Sequence, residues 1–537
     1  MLVRPGQQGQ NNNQTTSKRL LTVSATFPGR SHRVMEDHKT RVEGLAIRVK
    51  QFHKDGIPFR LYHGSTNSTR PSVRSLTGSL DVSHMNHVIS IDEQSLTCLV
   101  EPNVPMDALV DAALEHGLIP PVIPEFPGIT VGGSFAGTAG ESSSFRHGFF
   151  DATVDWCDVI LADGRITRAS KTENPDLFEG MKGTFGTLGV GVLFEVKLLR
   201  ATKYVELSYQ SVSGSITEAK ALIHDACKRP AGEVDFVDGI MFSKQNGVVI
   251  TGKFVDSNED GLPITTFHKP WDDWHYLHAQ NIMHRELSRQ KAFPEKPPSS
   301  SVHRELVPLK SYLFRYDRGA FWTGSYAYEY FITPFNRITR YMLDPFMHTR
   351  VMYHALHRSG MMEQFIIQDM ALPWLNIEKF YDWVDAEFRI YPQWLCPLDG
   401  YGAGGGLNPH GDRDEGLNGK EGMMLNIGVW GPCPGEPVAT NRAIEAKLRE
   451  LRGMKWLYAQ TFYSEEEFWS IYDRKGYDGL RAKYNATTLP NVYDKVGDSR
   501  KNRGKGLTGI WSVWPLAGIY GLLSCIKGGD YLRKAKD

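Results

Sequence analysis

PEFPGITVGGSFAGTAGESSSFRHG, residues Pro124 to Gly148, is a segment rich in glycine and hydroxyl residues. It carries Gly128, Gly132, Gly133, Gly137 and Gly140, interleaved with Thr130, Ser134, Thr138 and the run Ser142, Ser143, Ser144. Glycine lacks a Cβ, so backbone N–H groups in such a segment can approach a ligand closely, and the hydroxyls add donors. The segment therefore reads as a cradle for an anion or a flat polar cofactor. The competing reading is an irregular surface loop. Its flanks favour the cradle, because rigid elements hold both ends.

Upstream, Met106, Leu109, Val110, Ala113 and Leu114 repeat at helical spacing after Pro105, and Gly117 suits the helix end. Val88–Ile91 and Leu96–Val100 read as paired strands around Asp92 and Glu93. Earlier still, Val42, Leu45, Ala46, Val49 and Phe52 share a helical face. A strand at Phe59–Tyr62 enters His63-Gly64-Ser65-Thr66-Asn67-Ser68-Thr69, a second polar, glycine-containing cradle. Downstream, Val154–Leu161 alternates, and Asp163-Gly164 before Arg165-Ile166 marks a hairpin. A further glycine cluster, Gly180 to Gly191, leads into a strand at Val192–Leu199. These alternations describe an α+β domain.

Past Tyr204 the glycines thin out and a second pattern begins. Ile216–Cys227 and Ile377–Phe388 read as helices; Phe236–Phe242, Gly247–Phe254, Tyr391–Pro397, Met423–Trp430 and Trp456–Tyr458 read as strands. Ser464-Glu465-Glu466-Glu467 is a capping box opening a helix. Aromatic residues crowd Tyr312–Phe365, which reads as core or as the wall of a broad apolar pocket. Ala292–Ser301 and Tyr401–Lys420 read as surface excursions, and Met1–Ser17 as a polar tail with too little apolar surface to pack.

The 537 residues divide into a polar tail and lead-in (1–39), a first domain (40–202), a second (203–500) and a basic-flanked apolar C-terminal segment (501–537). Lys plus Arg and Asp plus Glu are both 61, which gives no electrostatic case for wrapping nucleic acid. Six cysteines without a CxxC pair fit thiols of a reducing compartment, and the polar start does not read as a secretory leader. Leu507–Ile526, LTGIWSVWPLAGIYGLLSCI, has no charged residue and is flanked by lysines and arginines. Twenty such residues would cross about 30 Å of hydrocarbon as a helix, so membrane association is expected there, by span or by interfacial insertion.

No HExxH, GxSxG or GxxxxGK[ST] motif carries the chemistry. His275, His278 and His284 lack the spacing of metal ligands and read as packed or surface histidines, so no metal site is expected. Tyr458 and Tyr463, with Asn426, Tyr391 and Gln368-Asp369, place polar groups in apolar surroundings. A phenol or carboxylate in such a pocket can deliver a proton, and each could equally make a structural hydrogen bond.

Together, PEFPGITVGGSFAGTAGESSSFRHGFF (124–150), VILADGRI (159–166), ENPDLF (173–178), GTLGV (186–190), YPQWLCP (391–397), LYAQTFYSEEEFW (457–469) and VYDK (492–495) resemble the flavoprotein family that includes vanillyl-alcohol oxidase. The resemblance is closer to its Δ24-sterol reductase branch and covers roughly Thr40 to Lys495. It implies a two-part FAD-binding domain of the vanillyl-alcohol oxidase type with an α+β substrate or cap domain. His63, Gly64, Ser65, Thr66 and Asn67 resemble the first pyrophosphate loop; Gly132, Gly133, Ser134, Thr138, Glu141, Ser142, Ser143 and Ser144 resemble the second flavin-contacting segment. Thr66 falls near the place where many relatives attach flavin through histidine, which implies noncovalent FAD.

The implied activity is NADPH-dependent reduction of a sterol side-chain Δ24 double bond, with hydride passing through FAD and Tyr458 or Tyr463 as acid. The alternative is an FAD-dependent alcohol or lactone oxidase or dehydrogenase. The implied partner is a sterol or other apolar small molecule, and the implied location is the endoplasmic reticulum or another intracellular membrane, facing the cytoplasm, with the cytoplasm as alternative. The chain departs from the reductases in its polar start, where they resemble a catalytic domain behind an N-terminal anchor.

Overall fold

The structure, a computed structural model, describes residues 28–63, 78–292, 302–399, 407, 423–497 and 514–528. The expected polar tail Met1–Ser17, most of the first cradle after His63, and nearly all of the excursions 293–301 and 401–420 lie outside these residues. Two large antiparallel sheets organise the rest.

The first sheet has five strands in the order Val88–Asp92, Thr97–Val100, Gly189–Lys197, Val154–Leu161, Ile166–Ser170. A parallel pair, Arg60–Tyr62 with Ser79–Asp81, stands beside it. The helix expected at Val42–Phe52 runs longer, Pro28–Lys54, and buries Val42, Leu45, Val49 and Phe52. The hairpin at Asp163-Gly164 forms, with Gly164 at φ 86°. A Cβ on Gly164 would lie 2.7 Å from Lys50 Cβ, so glycine serves both the turn and the contact with the long helix. Glu101 closes the other side of that helix, accepting hydrogen bonds from Arg41 at 2.7 Å and pairing with His38 and His87 at 2.8 Å.

The second sheet has eight strands in the order His303–Pro308, Tyr204–Ser213, Asn246–Val255, Phe236–Met241, Gln393–Leu398, Met424–Pro432, Phe365–Pro373, Met454–Lys455, all antiparallel. Alternation along its central strands separates two faces. Ile366, Met370, Leu395, Leu425, Ile427 and Val429 pack in a core with helices Ile216–Cys227, Ile377–Glu387 and Pro437–Glu450. Asp369, Trp394, Cys396, Asn426 and Trp430 point the opposite way, into a cavity. The aromatic run folds over the same side: Tyr312, Tyr316, Phe321, Trp322 and Tyr328 are buried, and Trp322 Nε1 donates to the Trp430 carbonyl at 2.7 Å.

After the second sheet the chain returns to the first. Tyr477 and Arg481, on helix Arg474–Lys483, both hydrogen-bond to Thr187. The capping box at Ser464–Glu467 forms as read. Trp456–Tyr458 is a turn following the short strand Met454–Lys455, not the strand expected from its apolar and aromatic character. Its side chains turn towards the cavity instead of continuing the ladder.

The C-terminal segment corrects the membrane expectation. No helix among the described residues is long and apolar enough to cross a membrane. Of Leu507–Ile526, residues 514–526 are described, and they enter the 13-residue helix Leu516–Gly528. Thirteen residues extend about 20 Å, against about 30 Å of hydrocarbon. Glycine spacing gives this helix a protein neighbour: a Cβ on Gly521 would lie 2.6 Å from the Ala355 carbonyl, and Cys525 Sγ contacts the Val351 carbonyl at 3.4 Å on helix Thr349–Ser359. The endoplasmic-reticulum or other intracellular-membrane location implied by the resemblance is corrected on this ground, since no described helix can span a bilayer. All six cysteines are free thiols, Cys98, Cys157, Cys227, Cys396, Cys433 and Cys525.

Candidate functional site

A cavity of about 1210 Å³, counted to its open mouth, lies between the glycine segment and the inner face of the second sheet. The glycine side presents His63, Thr130, Gly133, Gly137, Ala139 and Gly140; the sheet side presents Trp394, Cys396, Asn426, Trp430 and Asp369, with Phe126, Phe321, Tyr353 and Tyr458 around them.

Thr130 caps the short helix Val131–Ala136, its Oγ1 accepting from the Gly133 N–H at 3.2 Å. Gly132 sits against Pro102, where a Cβ would come within 2.8 Å of the proline Cβ. Gly137 is as tightly placed, 2.8 Å from the Gly133 carbonyl by the same measure. Thr138 adopts φ 50°, a region uncommon for a β-branched residue, and its carbonyl accepts from Trp456 Nε1 at 2.8 Å. Among the described residues, Ser134 Oγ and His63 Nδ1 on this side are buried without a hydrogen-bond partner. Burial, with the charge of Lys495 behind it, lowers the His63 pKa and favours the neutral ring.

Glu141, Ser142, Ser143 and Ser144 are buried but do not line the cavity. The Glu141 carboxylate accepts from Ser142 at 2.7 Å and from Ser143; Ser143 also contacts the Pro121 carbonyl at 2.8 Å, and Ser144 Oγ accepts from the Glu141 N–H at 2.9 Å. Ser142 further accepts from Arg315 at 3.2 Å. Arg315 and Tyr316 donate to Asp238 at 2.8 and 2.9 Å, so this cluster ties the serine run to the second sheet. Gly64, Ser65, Thr66 and Asn67 lie outside the described residues.

On the sheet side, Tyr458 OH donates to Asp369 Oδ2 at 2.5 Å, and Asn426 Nδ2 donates to Asp369 Oδ1 at 3.0 Å. Asp369 pairs across the ladder with Gly428, where a Cβ would lie 2.8 Å from Asp369 Oδ1; the glycine makes room for the carboxylate. Burial raises the Asp369 pKa, against hydrogen bonds from Tyr458, Asn426 and Trp430 that lower it. Burial and then the Asp369 charge push the Tyr458 phenol well above its ordinary range. The pair thus holds its proton in a mostly apolar chamber. Tyr463 is buried outside the cavity lining, and its carbonyl accepts from Tyr493 at 3.2 Å. Tyr391 OH donates to Asp385 at 3.0 Å and Gln368 Nε2 to Asn441 Oδ1 at 2.9 Å, so neither joins the site.

Glu125 escaped the sequence reading, although it lies within the glycine stretch between Pro124 and Phe126. Its Oε1 is buried without a partner among the described residues, it lines the cavity, and burial, followed by the charge of Glu141, raises its pKa. A carboxylate lodged between a proline and a phenylalanine was the available signal. The alternation of Asn426, Gly428 and Trp430 would likewise have placed these residues on one strand face.

Comparison with known proteins gives this geometry its context. Residues 40–170 match the FAD binding domain family. Across 482 residues the chain is 27% identical to the Delta(24)-sterol reductase of Homo sapiens, covering 86% of each protein. It is 25% identical over 488 residues to the Delta(24)-sterol reductase homologue of Caenorhabditis elegans, covering 86% of this chain and 87% of the relative. The Delta(24)-sterol reductase of Pisum sativum is 27% identical over 468 residues, covering 79% and 76% respectively. The glycine side fits FAD: Gly133, Gly137 and Gly140 leave bare backbone along the cavity, and Ser134 and His63 retain unpartnered buried polar atoms. The chain carries an FAD-binding domain of the vanillyl-alcohol oxidase type, and it is an FAD-dependent oxidoreductase homologous to the Delta(24)-sterol reductases.

Proposed function

We propose that the protein reduces the Δ24 double bond of a sterol side chain, with NADPH as electron source and noncovalently held FAD. The observation that carries this reading is similarity to Delta(24)-sterol reductases over 86% of the chain. FAD, when bound, supplies the hydride chemistry. His63 with Gly132, Gly133, Ser134 and Thr138 would hold it, and Glu141 to Ser144 would brace that segment from behind through Arg315 and Asp238. The domain reading follows: residues 40–202 hold the cofactor and 203–500 shape the chamber above it.

Reduction of an alkene adds one hydride and one proton across the double bond. An isolated alkene resists hydride alone, so an acid must act with it. The Tyr458–Asp369 pair lines the chamber and holds its proton through burial, which makes it the candidate donor. Tyr463 lies outside the cavity lining, which supports Tyr458 over Tyr463 as the acid. Phe126, Phe321, Trp394 and Trp430 exclude water and position an apolar ligand; Phe126 and Phe321 each lie within 6 Å of Trp430, centroid to centroid.

Incubation with NADPH and a Δ24 sterol, followed by mass spectrometry, tests the reading. A product heavier by two hydrogens at the side chain is expected. An unchanged sterol, with an alcohol or lactone oxidised under air, would move the assignment to the oxidase or dehydrogenase alternative.

A further inference from the structure

At the outer edge of the eight-stranded sheet, two imidazoles and a carboxylate converge. His303 and Glu305 are two residues apart on the edge strand His303–Pro308, so their side chains share one face. Helix His275–Ala292 packs over that face and brings down His278. His278 Nε2 lies 3.0 and 3.1 Å from the two Glu305 oxygens, and His303 Nε2 lies 3.5 Å from Glu305 Oε2. One ligand atom from each of the three residues falls within 4.8 Å of the others.

We propose that His278, His303 and Glu305 form a binding site for a divalent cation of the zinc class. Zinc bonds of about 2.0–2.1 Å in a tetrahedron set neighbouring ligand atoms about 3.4 Å apart; each histidine stands 3.0–3.5 Å from Glu305, and all three ligand atoms lie within 4.8 Å of one another. Two imidazole nitrogens and a carboxylate oxygen are zinc-type donors, and three protein ligands leave a fourth position for water. Glu305 is itself held: Tyr209 OH donates to Oε1 at 2.7 Å and Thr265 Oγ1 to Oε2 at 2.6 Å. Such outer partners orient a ligating carboxylate before the metal arrives. The ligands themselves are unequally exposed, Glu305 buried and the two histidines partly open, which gives the cation a path from solvent.

A cation here displaces the proton between His278 and Glu305 and fastens the helix to the edge strand. Its role is structural, because neither histidine lines the cavity. The sequence reading set His278 aside as a metal ligand for want of a short motif; its partner ligand His303 lies 25 residues further on, on a strand.

The test titrates Zn2+ into the chelator-treated, flavin-loaded full chain by calorimetry, and Co2+ by visible absorption. One equivalent per chain, ligand-field bands of a low-coordinate Co2+ and a raised Tm are expected. His303→Ala, a partly exposed residue, should abolish the stoichiometric event and the bands while flavin content stays normal. Thr265→Val should weaken binding about 10- to 100-fold. His284→Ala, on the exposed side of the same helix, should change nothing. No stoichiometric binding to the unaltered chain, or equal binding in His303→Ala, would overturn the site and leave the cluster as an ion-pair network.

Discussion

The two walls of the cavity are built from opposite materials. The glycine wall offers backbone, small side chains and a neutral histidine, packed so tightly that Gly132 and Gly137 tolerate no Cβ. The sheet wall offers large rings around one buried carboxylate and a phenol. The first is suited to holding a polar cofactor by shape, and the second to choosing an apolar ligand and moving a proton beside it. The difference teaches that binding and chemistry can be altered separately.

The largest separation should come from Gly132→Val. Its added carbons collide with Pro102, so FAD content, read by absorbance, should fall to background while circular dichroism reports an intact fold. Tyr458→Phe should do the reverse. Flavin content and reduction by NADPH should stay normal, while the sterol-dependent step slows by about 10²–10⁴-fold, the usual worth of a positioned acid.

Asp369→Asn sharpens the role of the pair. The Asp369 charge contributes to raising the Tyr458 pKa. Removing it lowers that pKa, so the alkaline decline of the sterol-dependent rate should begin at lower pH than in the unaltered protein. A pH–rate profile of both proteins reads the shift. Trp430→Ala, which opens the ring wall, should raise the sterol KM by about tenfold with little change in flavin content.

The smallest effect lies off both walls. His348 pairs with Asp317 at 2.6 Å and with Asp344 at 3.5 Å; although burial opposes the charge, these carboxylates raise its pKa from 6.5 to about 9. A raised folded-state pKa gives stability that is full below pH 6.5 and fades as pH rises through about 9. His348→Gln should therefore flatten the fall of Tm across that interval without touching flavin binding. An unchanged slope would remove this pair from the account.

Elements set by local rules were legible in the residues. Helix Ile216–Cys227, the Asp163-Gly164 hairpin and the Ser464–Glu467 capping box each depend on contacts within a few positions. Of the residues read as the glycine cradle, His63 and Gly133 line the cavity, while Glu141 to Ser144 lie behind it. The sheet wall was only partly legible: Asp369 and Asn426 stood out as polar residues in apolar strands, but their meeting depends on a register that joins strands more than fifty residues apart. Trp456–Tyr458 has the composition of a strand and forms a turn, because the ladder with Met370 and Ala371 ends at Lys455. The apolar C-terminal run was expected to associate with a membrane by span or by interfacial insertion, and the span fails because composition does not reveal a partner helix. Gly521 and Cys525 show that partner only once Val351 and Ala355 are beside them.

Anaerobic stopped-flow absorbance of the flavin-loaded protein tests the central claim most directly, with NADPH first and a Δ24 sterol in detergent second. The account predicts bleaching of the flavin by NADPH, then reoxidation that depends on sterol and is slowed in Tyr458→Phe. Reduced flavin that reoxidises rapidly with oxygen but not with sterol, or that NADPH never bleaches, would contradict it.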